Sequence, residues 1–418
     1  MRGIGMALAS FTKALLTTTL LFSASLITAA PGLTATEPEE KNIAANAWLE
    51  IDTDALTHNI RTLRKQVADT STVCAVLKAD AYGHGLSIAL PVVIKEGITC
   101  IGVTSNQELR AVRAGGFTGR LMRLRTASPM EIDAAMQDDV EELAGNLPLA
   151  KKMADIAEGK KRILNVHLAL NSAGMSRNGL ELATTQGMDD ALAIASLPSL
   201  KVAGIMTHFP VEDRADVVAG LKTFNAQAAQ VVQKAGLDRK SLLLHAANSF
   251  STLELPESHL DAVRPGGALF GDVPQGHSEY RRVMQFKSRV AAVNHFPKGN
   301  TVGYNRTLTL KRDSLLANIP VGYSDGYSVS LSNKTHVLIR GHKVPVMGRA
   351  SMNTIMVDVT DVAGIQPDDE VVLFGQQGDE TITQQEIENA HGALLADLYT
   401  VWGNSNPKVV KKAPDSMQ

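Results

Sequence analysis

A lysine that ends an apolar strand is the strongest chemical signal in this sequence. The segment VCAVLKADAYGHG covers residues 73–85, and Lys78 follows five apolar residues in a row. A lysine at the dry end of a sheet loses hydration and its pKa falls, which suits an amine that forms Schiff bases. The usual alternative is a lysine that only extends its ammonium group into solvent, so the neighbouring residues must decide between the two.

A second group of residues has the chemistry of a phosphate site. The segment VRPGGALFG at 263–271 places Gly266 and Gly267 after a short apolar strand, where we expect free backbone N–H groups. Ser249 in HAANS adds a hydroxyl, and Tyr82 adds a phenol. Such groups at strand ends are typical phosphate ligands. With the lysine and Arg264, they predict a site for pyridoxal 5'-phosphate (PLP).

Alternating apolar and helical segments predict the scaffold that positions these residues. The expected strands are 73–77, 100–103, 121–124, a weaker 140–144, 163–170, 202–206, 242–244 and 261–263. Eight βα units over roughly 220 residues favour a (β/α)8 TIM barrel of the α/β class over an open sheet. The C-terminal strand ends of a barrel surround its active site, and the polar residues expected there are Lys78, Arg125, His208, Asn248 with Ser249, and Arg264.

The pattern changes near residue 280, where short alternating strands punctuated by Gly, Asn and Pro begin. They predict a mainly β C-terminal domain with one helix near 383–391. The expected division is a signal peptide and leader at 1–35, a PLP-binding barrel at 36–280, the β domain at 281–410 and a tail at 411–418. The early strand 47–52 has the same alternation and is a candidate to join the β domain.

The N-terminus and the composition predict an exported protein. Arg2 and Lys13 precede an apolar run at 14–29, and small residues follow, which is typical of a secretory signal; the alternative is an uncleaved anchor. We therefore expect a periplasmic protein with no membrane association after cleavage. The chain has 418 residues and a net charge of −2, which gives no basic surface for nucleic acid. Its two cysteines are too few for a thiolate metal site, and we expect no metal.

Those two cysteines are expected to form a disulfide. Cys74 and Cys100 lie in strands separated by a helical stretch, a spacing that makes the two strands parallel neighbours. Residues in register on such strands lie about 5 Å apart, within the range of a disulfide. The alternative is two buried free thiols.

Ten motifs between residues 47 and 407 carry a family resemblance. In chain order they are AWLEIDTDALTHNI, VLKADAYGHG, GMSRNG, MTHF, HAANS, VRPGGALFG, VGYNRT, VGYSDGY, GRASMN and LYTVWG. The chain resembles the PLP-dependent alanine racemases, and among them the exported broad-specificity amino-acid racemases. The resemblance implies interconversion of L- and D-amino acids, with free amino acids as substrates and an obligate homodimer.

The resemblance also implies a role for individual residues around the cofactor. Lys78 would hold PLP through a Schiff base and act as a base on one face of the substrate Cα. Arg264 would face the pyridine nitrogen, supported by His208, and Arg177 would approach the phenolate oxygen and the substrate carboxylate. The residues expected to bind the phosphate or line its pocket are Tyr82, Asn248, Ser249, Gly266, Gly267 and Tyr399.

A partner subunit would complete the site. The resemblance implies that Tyr304 of the partner subunit is the base on the opposite face of Cα. Met352 of the partner subunit would offer backbone to the substrate carboxylate, and Tyr323 would line the entrance. Two bases on opposite faces allow a proton to leave one side and return to the other. Taken alone, each of Tyr82, Tyr304 and His208 could instead be a packing residue.

Several positions depart from the common family pattern. Ala169 stands where cytoplasmic alanine racemases carry a modified lysine that orients the arginine, so Asn171, Asn178 or a bound anion such as chloride would have to orient Arg177. Asn353 replaces a usual aspartate. These changes lead us to expect a broader substrate range that includes basic and aliphatic amino acids. Arg123 and Arg125 alternate onto one strand face. The broad-specificity subgroup carries such a pair, so the resemblance implies a structural role for it and not direct catalysis.

Two other functional classes remain compatible with the residues alone. One is another PLP barrel enzyme, such as a D-amino-acid lyase or a decarboxylase. The other is an exported protein that binds a cofactor or ligand without catalysis. Product chirality distinguishes the first class from a racemase, and hydrogen exchange at Cα distinguishes the second.

Overall fold

The computed structural model describes residues 44–67 and 69–411. The predicted signal peptide and leader, and all but the first residue of the predicted tail, lie outside these ranges. Within them, no helix is both long and apolar enough to cross a membrane.

Eight parallel strands close into a barrel in sequence order, which confirms the predicted fold class. The first strand of the described chain, β1 (Ala47–Ile51), lies outside the barrel. The barrel strands are β2 (Thr72–Val76), β3 (Cys100–Val103), β4 (Arg120–Arg123), β5 (Val140–Ala144), β6 (Leu164–Ala169), β7 (Leu200–Met206), β8 (Leu243–His245) and β9 (Ala262–Val263). The weakly predicted segment 140–144 is one of them.

Helices surround the barrel and bury their apolar faces against it. They are α1 (Thr53–Gln66), the short α2 (Lys78–Tyr82), α3 (Leu86–Lys95), α4 (Asn106–Ala114), α5 (Pro129–Ala135), α6 (Leu147–Gly159), α7 (Thr185–Ala195), α8 (Arg214–Lys234) and α9 (Ser249–Glu254). Side-chain caps fix where several begin: Ser105 and Glu108 form a capping box on α4, and Ser128 and Glu131 form one on α5. Such caps satisfy N–H groups that have no partner inside the helix.

The disulfide expected between the first two barrel strands is present. Cys74 on β2 lies in register with Cys100 on β3, and their Cα atoms are 4.4 Å apart. Both side chains are buried and pack with Met122 and Ala262. The disulfide therefore links β2 to β3 within one layer of buried side chains. Cys74 lies four residues before Lys78 in the sequence.

A large mixed sheet forms the mainly β domain. Its strands are β10 (Met284–Arg289), β11 (Ala292–Phe296), β14 (Ser314–Ile319), β15 (His336–Ile339), β16 (His342–Met347), β17 (Ile355–Asp358), β18 (Glu370–Gln377), β19 (Glu380–Ile382) and β20 (Lys408–Val410), while β12 (Thr301–Val302) and β13 (Leu308–Thr309) form a separate pair. Strand β1 lies between β10 and β20, so the first and last strands of the described residues pair in this sheet.

Two helices belong to this domain, whereas the sequence predicted one. Helix α10 (Gln384–His391) is the expected one, and α11 (Leu395–Ser405) contains the LYTVWG motif. Trp402 of α11 is buried against Phe286 and Phe374 of the sheet. Its indole N–H donates to the carbonyl of Gly326 at 3.0 Å. The sequence did not predict α11 because this helix packs on the sheet and on the barrel at once. Its apolar residues therefore do not form the single apolar stripe by which a helix is recognised in a sequence.

Candidate active site

One cavity at the C-terminal end of the barrel brings together the residues expected around the cofactor. It has a volume of about 700 Å³. Its lining includes every residue predicted to bind the cofactor: Lys78, Tyr82, Arg177, His208, Asn248, Ser249, Arg264, Gly266, Gly267 and Tyr399. They come from segments that are up to 321 residues apart in the sequence (78 to 399) and meet because parallel barrel strands end at the same rim. Their individual roles stay predictions.

Lys78 enters this cavity from an unusual turn. Residues 79–82 all have left-handed backbone angles, with φ between 54° and 56°, so α2 turns in the opposite sense to an ordinary helix. Non-glycine residues adopt this region at a cost of about 1–2 kcal/mol each, so the surrounding structure must hold it. Burial lowers the pKa of Lys78, and the positive charges of Arg177 and Arg264 lower it further. A lowered pKa gives a lysine the neutral amine that a nucleophile or base needs.

Two carboxylates hold the left-handed turn. The Glu108 side chain accepts from the backbone N–H of Asp80 at 3.2 Å and from those of Thr104 and Ser105 at 2.9 Å. The Asp80 side chain accepts from the N–H of Leu86 at 2.7 Å. The turn after Lys78 is thereby fixed to the N-terminus of α4 and to the N-terminus of α3.

The residues predicted to form a phosphate cradle line one cavity, but the backbone N–H groups there are not all free as expected. The N–H groups of Gly266 and Ala268 are not free, because both donate to the Ser249 hydroxyl, at 3.0 and 3.1 Å. Asn248 lines the cavity, but its side chain also caps α9 by accepting from the N–H of Ser251. An ideal Cβ on Gly266 would lie 2.0 Å from the Tyr82 phenol oxygen. Only glycine at this position lets the phenol approach the cradle.

Tyr399 reaches the cavity because α11 crosses the turn after Lys78 at very short range. An ideal Cβ on Gly83 would lie 2.2 Å from the carbonyl oxygen of Tyr399, and Gly83 has φ 77°. The Tyr399 hydroxyl donates to Asp272 at 2.9 Å. Burial and the charge of Asp272 raise the pKa values of Tyr399 and Tyr82, so both phenols stay protonated, and the Tyr399 proton is directed at Asp272.

Arg264 is buried and rigidly held. Its Nη1 donates to His245 Nδ1 at 2.7 Å, and its Nη2 donates to the carbonyls of Thr207 and Ala246 at 3.0 and 3.1 Å. Burial and the charge of Arg177 lower the pKa of Arg264 to about 10, so it stays charged at neutral pH. Three of the five guanidinium N–H groups thus have protein acceptors, and those on Nε and the second one on Nη1 are left for a ligand in the cavity that Arg264 lines.

His208 supports Arg264 only weakly. Its Nδ1 lies 3.4 Å from Arg264 Nη2, a long contact beside the 2.7 Å bond that His245 makes. Burial and the charge of Arg264 lower the pKa of His208 to about 3, so it is neutral and can accept a hydrogen bond. The imidazole that mainly supports Arg264 is therefore that of His245, which the sequence analysis did not single out.

Of the two asparagines considered for Arg177, Asn178 contacts it. The Arg177 Nε lies 3.4 Å from the Asn178 amide oxygen. Asn171 instead donates to Ser176 and Glu181. Ala169 is buried with Leu143 and Met206 and supplies no polar group. Arg177 is exposed in the single chain.

The structure contradicts the expectation that Arg125 lies at the active-site rim. Its side chain pairs with Glu131 at the start of α5, and Leu124 lines the cavity instead. Arg123 lies on the same strand face and forms a fully buried pair with Glu142 at 2.9 Å. Arg123 and Arg125 share one strand face, as the alternation predicts. Residues of a barrel strand alternate between the lumen and the surrounding helices, and this face is the one that points to the helices.

Three residues expected at the substrate end lie on the β domain and do not line the cavity of their own chain. Tyr304, Tyr323 and Met352 are 67%, 46% and 53% exposed. The loops of Tyr323 and Met352 are joined, because the N–H of Tyr323 donates to the Ser351 carbonyl and that of Ser324 to the Met352 carbonyl. Asn353 donates to the Ser324 hydroxyl at 2.7 Å and so stiffens this loop pair.

Sequence reasoning missed the polar residues inside the barrel. His245, His167, Glu141 and Arg120 point into the lumen and connect Arg264 to the opposite end of the barrel. The sequence did contain a signal for these four residues, because each is a charged or imidazole side chain in a barrel strand that is otherwise mostly apolar. Such groups are rarely buried without partners.

The residues of the cavity fit PLP. A half-buried lysine with a lowered pKa, a hydroxyl and glycine cradle that a Cβ would fill, and a charged arginine that lines the cavity match the aldehyde, phosphate and pyridine groups of that molecule. Within the described ranges no cluster of three or more His, Cys, Asp or Glu side chains could hold a metal ion. Fold and site together define a barrel enzyme that works on amines with PLP.

Comparison with known proteins gives the family. The sequence models for the alanine racemase N-terminal and C-terminal domains match residues 51–274 and 283–410. The chain belongs to the alanine racemase family. It is 62% identical to a broad specificity amino-acid racemase of Pseudomonas taetrolens (88% of this chain, 90% of that one) and 50% identical to a lysine racemase of Proteus mirabilis (88% and 90%). The solved alanine racemase of Streptomyces coelicolor A3(2) is 29% identical, covers 88% of this chain and 98% of its own, and superposes with a TM-score of 0.80.

These matches give the chain its activity and cofactor. It is an amino-acid racemase of the alanine racemase type, an isomerase, and PLP is its cofactor. The relatives give no support to a lyase or a decarboxylase.

Proposed function

We propose that this racemase moves protons with two bases that come from different subunits, Lys78 and Tyr304 of the partner subunit. The observation that carries this proposal is the separation of the two groups. Lys78 lies in the barrel cavity, whereas Tyr304 is 67% exposed and does not line that cavity. An exposed phenol on the same domain as the other substrate-end residues suits insertion into a second copy of the site. A symmetric dimer would then contain two complete sites.

The chain's own residues divide the work as follows. Bound PLP acidifies the Cα–H of an attached amino acid by spreading the negative charge that remains on Cα. Lys78 Nζ, with its lowered pKa, accepts the proton from one face of Cα. The Tyr304 phenol of the partner subunit donates a proton to the opposite face, and the reverse direction exchanges these roles. Arg177 orients the substrate carboxylate, while Arg264 donates to the pyridine nitrogen.

Replacing Tyr304 by phenylalanine tests the second base. We expect Tyr304→Phe to lower racemisation in both directions by at least ~100-fold, the usual contribution of a positioned acid or base. In D2O the variant should still exchange the Cα hydrogen of one enantiomer, because Lys78 remains. Tyr280→Phe, which removes a phenol that bonds Gln66 away from the cavity, is the control. Unchanged turnover in Tyr304→Phe would contradict the two-base proposal.

Mixing two inactive variants tests the subunit assignment. A dimer of one Lys78→Ala chain and one Tyr304→Phe chain contains one site with both native bases, but only if the bases come from different chains. Random mixing should therefore restore up to about a quarter of the wild-type activity. No recovery in verified mixed dimers would place both bases in one chain.

We also propose broad substrate specificity that includes alanine and basic amino acids. The support is Ala169 and Asn353, which remove charged groups near the substrate arginine and the substrate-end loops, and the broad specificity and lysine racemases among the relatives. The test is a panel of single L-amino acids with resolution of the enantiomers formed. Activity on alanine alone, with lysine, arginine and methionine inert, would refute this range.

A periplasmic location is proposed on two grounds. The N-terminal sequence has the pattern of a secretory signal. The Cys74–Cys100 disulfide suits an oxidising compartment. Osmotic-shock fractionation of cells that produce the full chain should release the activity with a shortened N-terminus; full-length protein in the cytosol would contradict this location.

A further inference from the structure

A chain of hydrogen bonds crosses the barrel core behind Arg264. Arg264 Nη1 contacts His245 Nδ1 at 2.7 Å, His245 Nε2 contacts His167 Nδ1 at 2.8 Å, and His167 Nε2 contacts Glu141 at 2.7 Å. Arg120 pairs with the same Glu141 oxygen at 2.9 Å. We call these five residues the lumen chain. Both imidazoles are fully buried, whereas the Arg120 side chain is 34% exposed at the other end of the barrel.

The order of donors and acceptors in the lumen chain allows one arrangement of protons. Arginine only donates, so His245 Nδ1 must carry a lone pair and the His245 proton must be on Nε2. That N–H donates to His167 Nδ1, which must therefore be unprotonated, so the His167 proton is also on Nε2. His167 Nε2–H then donates to Glu141. Both histidines are neutral and share the same tautomer.

The carboxylate at the end of the chain is charged. Burial by itself would raise the pKa of Glu141, but its hydrogen bond with His167 and the positive charge of Arg120 outweigh burial and lower that pKa. Burial and the charge of Arg264 hold the pKa of His245 well below its usual value, which keeps this imidazole neutral. The lumen chain thus has a positive end in the cofactor cavity and an anion in the core.

We propose that Glu141 is a positioning residue for the cofactor arginine: through His167 it fixes the tautomer of His245, which then always presents a lone pair to Arg264. The guanidinium is thereby held through Nη1 and Nη2, and its remaining N–H groups stay available to the cavity that Arg264 lines. Without the acceptor at Glu141, His167 is free to carry its proton on Nδ1. His245 would then lose its acceptor, and the bond to Arg264 would no longer be enforced. This inference rests on the proposed role of Arg264 at the cofactor.

Strand β5 provides a matched control. Glu142 follows Glu141, points to the helix side of the strand and forms a fully buried pair with Arg123 at 2.9 Å, more buried than the pair of Glu141 with Arg120. A change at Glu142 removes a buried carboxylate from the same strand without touching the lumen chain. If Glu141 had only a structural role, substitutions at Glu141 and Glu142 would change PLP affinity to the same extent.

The first experiment measures PLP affinity by titrating the apoenzyme and following absorbance. We expect Glu141→Ala to weaken PLP binding about tenfold, within the range of coupling in buried hydrogen-bond networks. Glu141→Gln keeps an acceptor for His167 and should stay within about threefold of wild type. Glu142→Ala should lower the melting temperature but leave PLP affinity within about twofold. Equal losses of affinity in Glu141→Ala and Glu142→Ala would overturn the proposal.

The second experiment reads the tautomers and does not require an alanine variant to fold. In holoenzyme with 15N-labelled histidine, NMR should show His245 and His167 both protonated on Nε2 only. Glu141→Gln should shift the signals of both imidazoles, and Glu142→Gln should shift neither. An Nδ1-protonated form of either residue in the wild type would overturn the proposal. Racemisation by the wild type is measured in a separate assay. Absence of racemisation there would refute the proposed function, whereas the proposal for Glu141 is tested by the tautomers and by PLP affinity.

Discussion

The carbonyl oxygen of Gly83 packs directly on the backbone of Gly403, and an ideal Cβ on Gly403 would lie 2.2 Å from that oxygen. The contact joins the turn after Lys78 to α11, the helix that carries Tyr399. Neither position offers a flexible side chain that could move aside. The position of Tyr399 relative to Lys78 therefore depends on two glycines that belong to different domains.

Gly403→Ala should destabilise the protein and weaken PLP binding together. Overpacking of a rigid contact costs about 1–3 kcal/mol, and the displaced α11 would draw Tyr399 away from the cradle. Urea denaturation and PLP titration measure the two effects. Gly159→Ala is the control, because a Cβ there meets nothing within 4 Å. A Gly403→Ala variant with native stability and native PLP affinity would show that the backbones can separate freely.

Removing the disulfide should lower stability by a predictable amount. Cys74 and Cys100 enclose a loop with a sequence separation of 26. In the chain-entropy description such a loop contributes about 3–4 kcal/mol, and alanine suits the apolar barrel layer around both positions. Urea denaturation of the Cys74→Ala, Cys100→Ala double variant should show this loss under oxidising conditions. Under reducing conditions, the stabilities of wild type and variant should differ much less. An equal difference in stability under oxidising and reducing conditions would show that the loss comes from packing and not from the disulfide.

Arg125→Ala should leave the cofactor site unchanged and alter acid stability. Its hydrogen bond, followed by that of the Ser128 N–H, lowers the pKa of Glu131 to about 2. Because the folded pKa is below the unfolded value of about 4.5, this stabilisation is present above about pH 4.5 and is lost as the pH falls towards about 2. Carboxyl NMR titration should show a higher Glu131 pKa in the variant. A weaker PLP affinity of the Arg125→Ala variant would instead show that Arg125 contributes to the active site.

Buried neutral histidines should make the protein sensitive to mild acid. His84 stacks on Phe270 with ring centroids 4.2 Å apart, and burial lowers its pKa to about 3. The unfolded state binds the proton at about pH 6.5, so stability falls as the pH drops from about 6.5 to about 3, by about 1.4 kcal/mol per pH unit for each such group. His84→Gln should reduce that slope by one proton between about pH 6 and about pH 4 in urea denaturation. A variant with the wild-type slope would show that His84 is protonated in the folded state.

Much of the fold and of the site could be predicted from the sequence. The strand pattern identified all eight barrel strands, and the ordered motifs identified ten residues that the structure places in one cavity. The register of Cys74 with Cys100 followed from the βαβ spacing. These predictions succeed because the barrel places the ends of successive strands at one rim, whatever the lengths of the helices between them.

What the sequence determined by itself is the set of chemical groups and the end of the barrel at which they meet. The tertiary structure alone decided their partners: His245 and not His208 as the main support of Arg264, Arg125 directed to Glu131, and Gly83 against Gly403. The physical reason is that hydrogen bonds and close contacts depend on register and side-chain direction. His167 and His245 are 78 residues apart and become neighbours only when strands β6, β7 and β8 align inside a closed barrel.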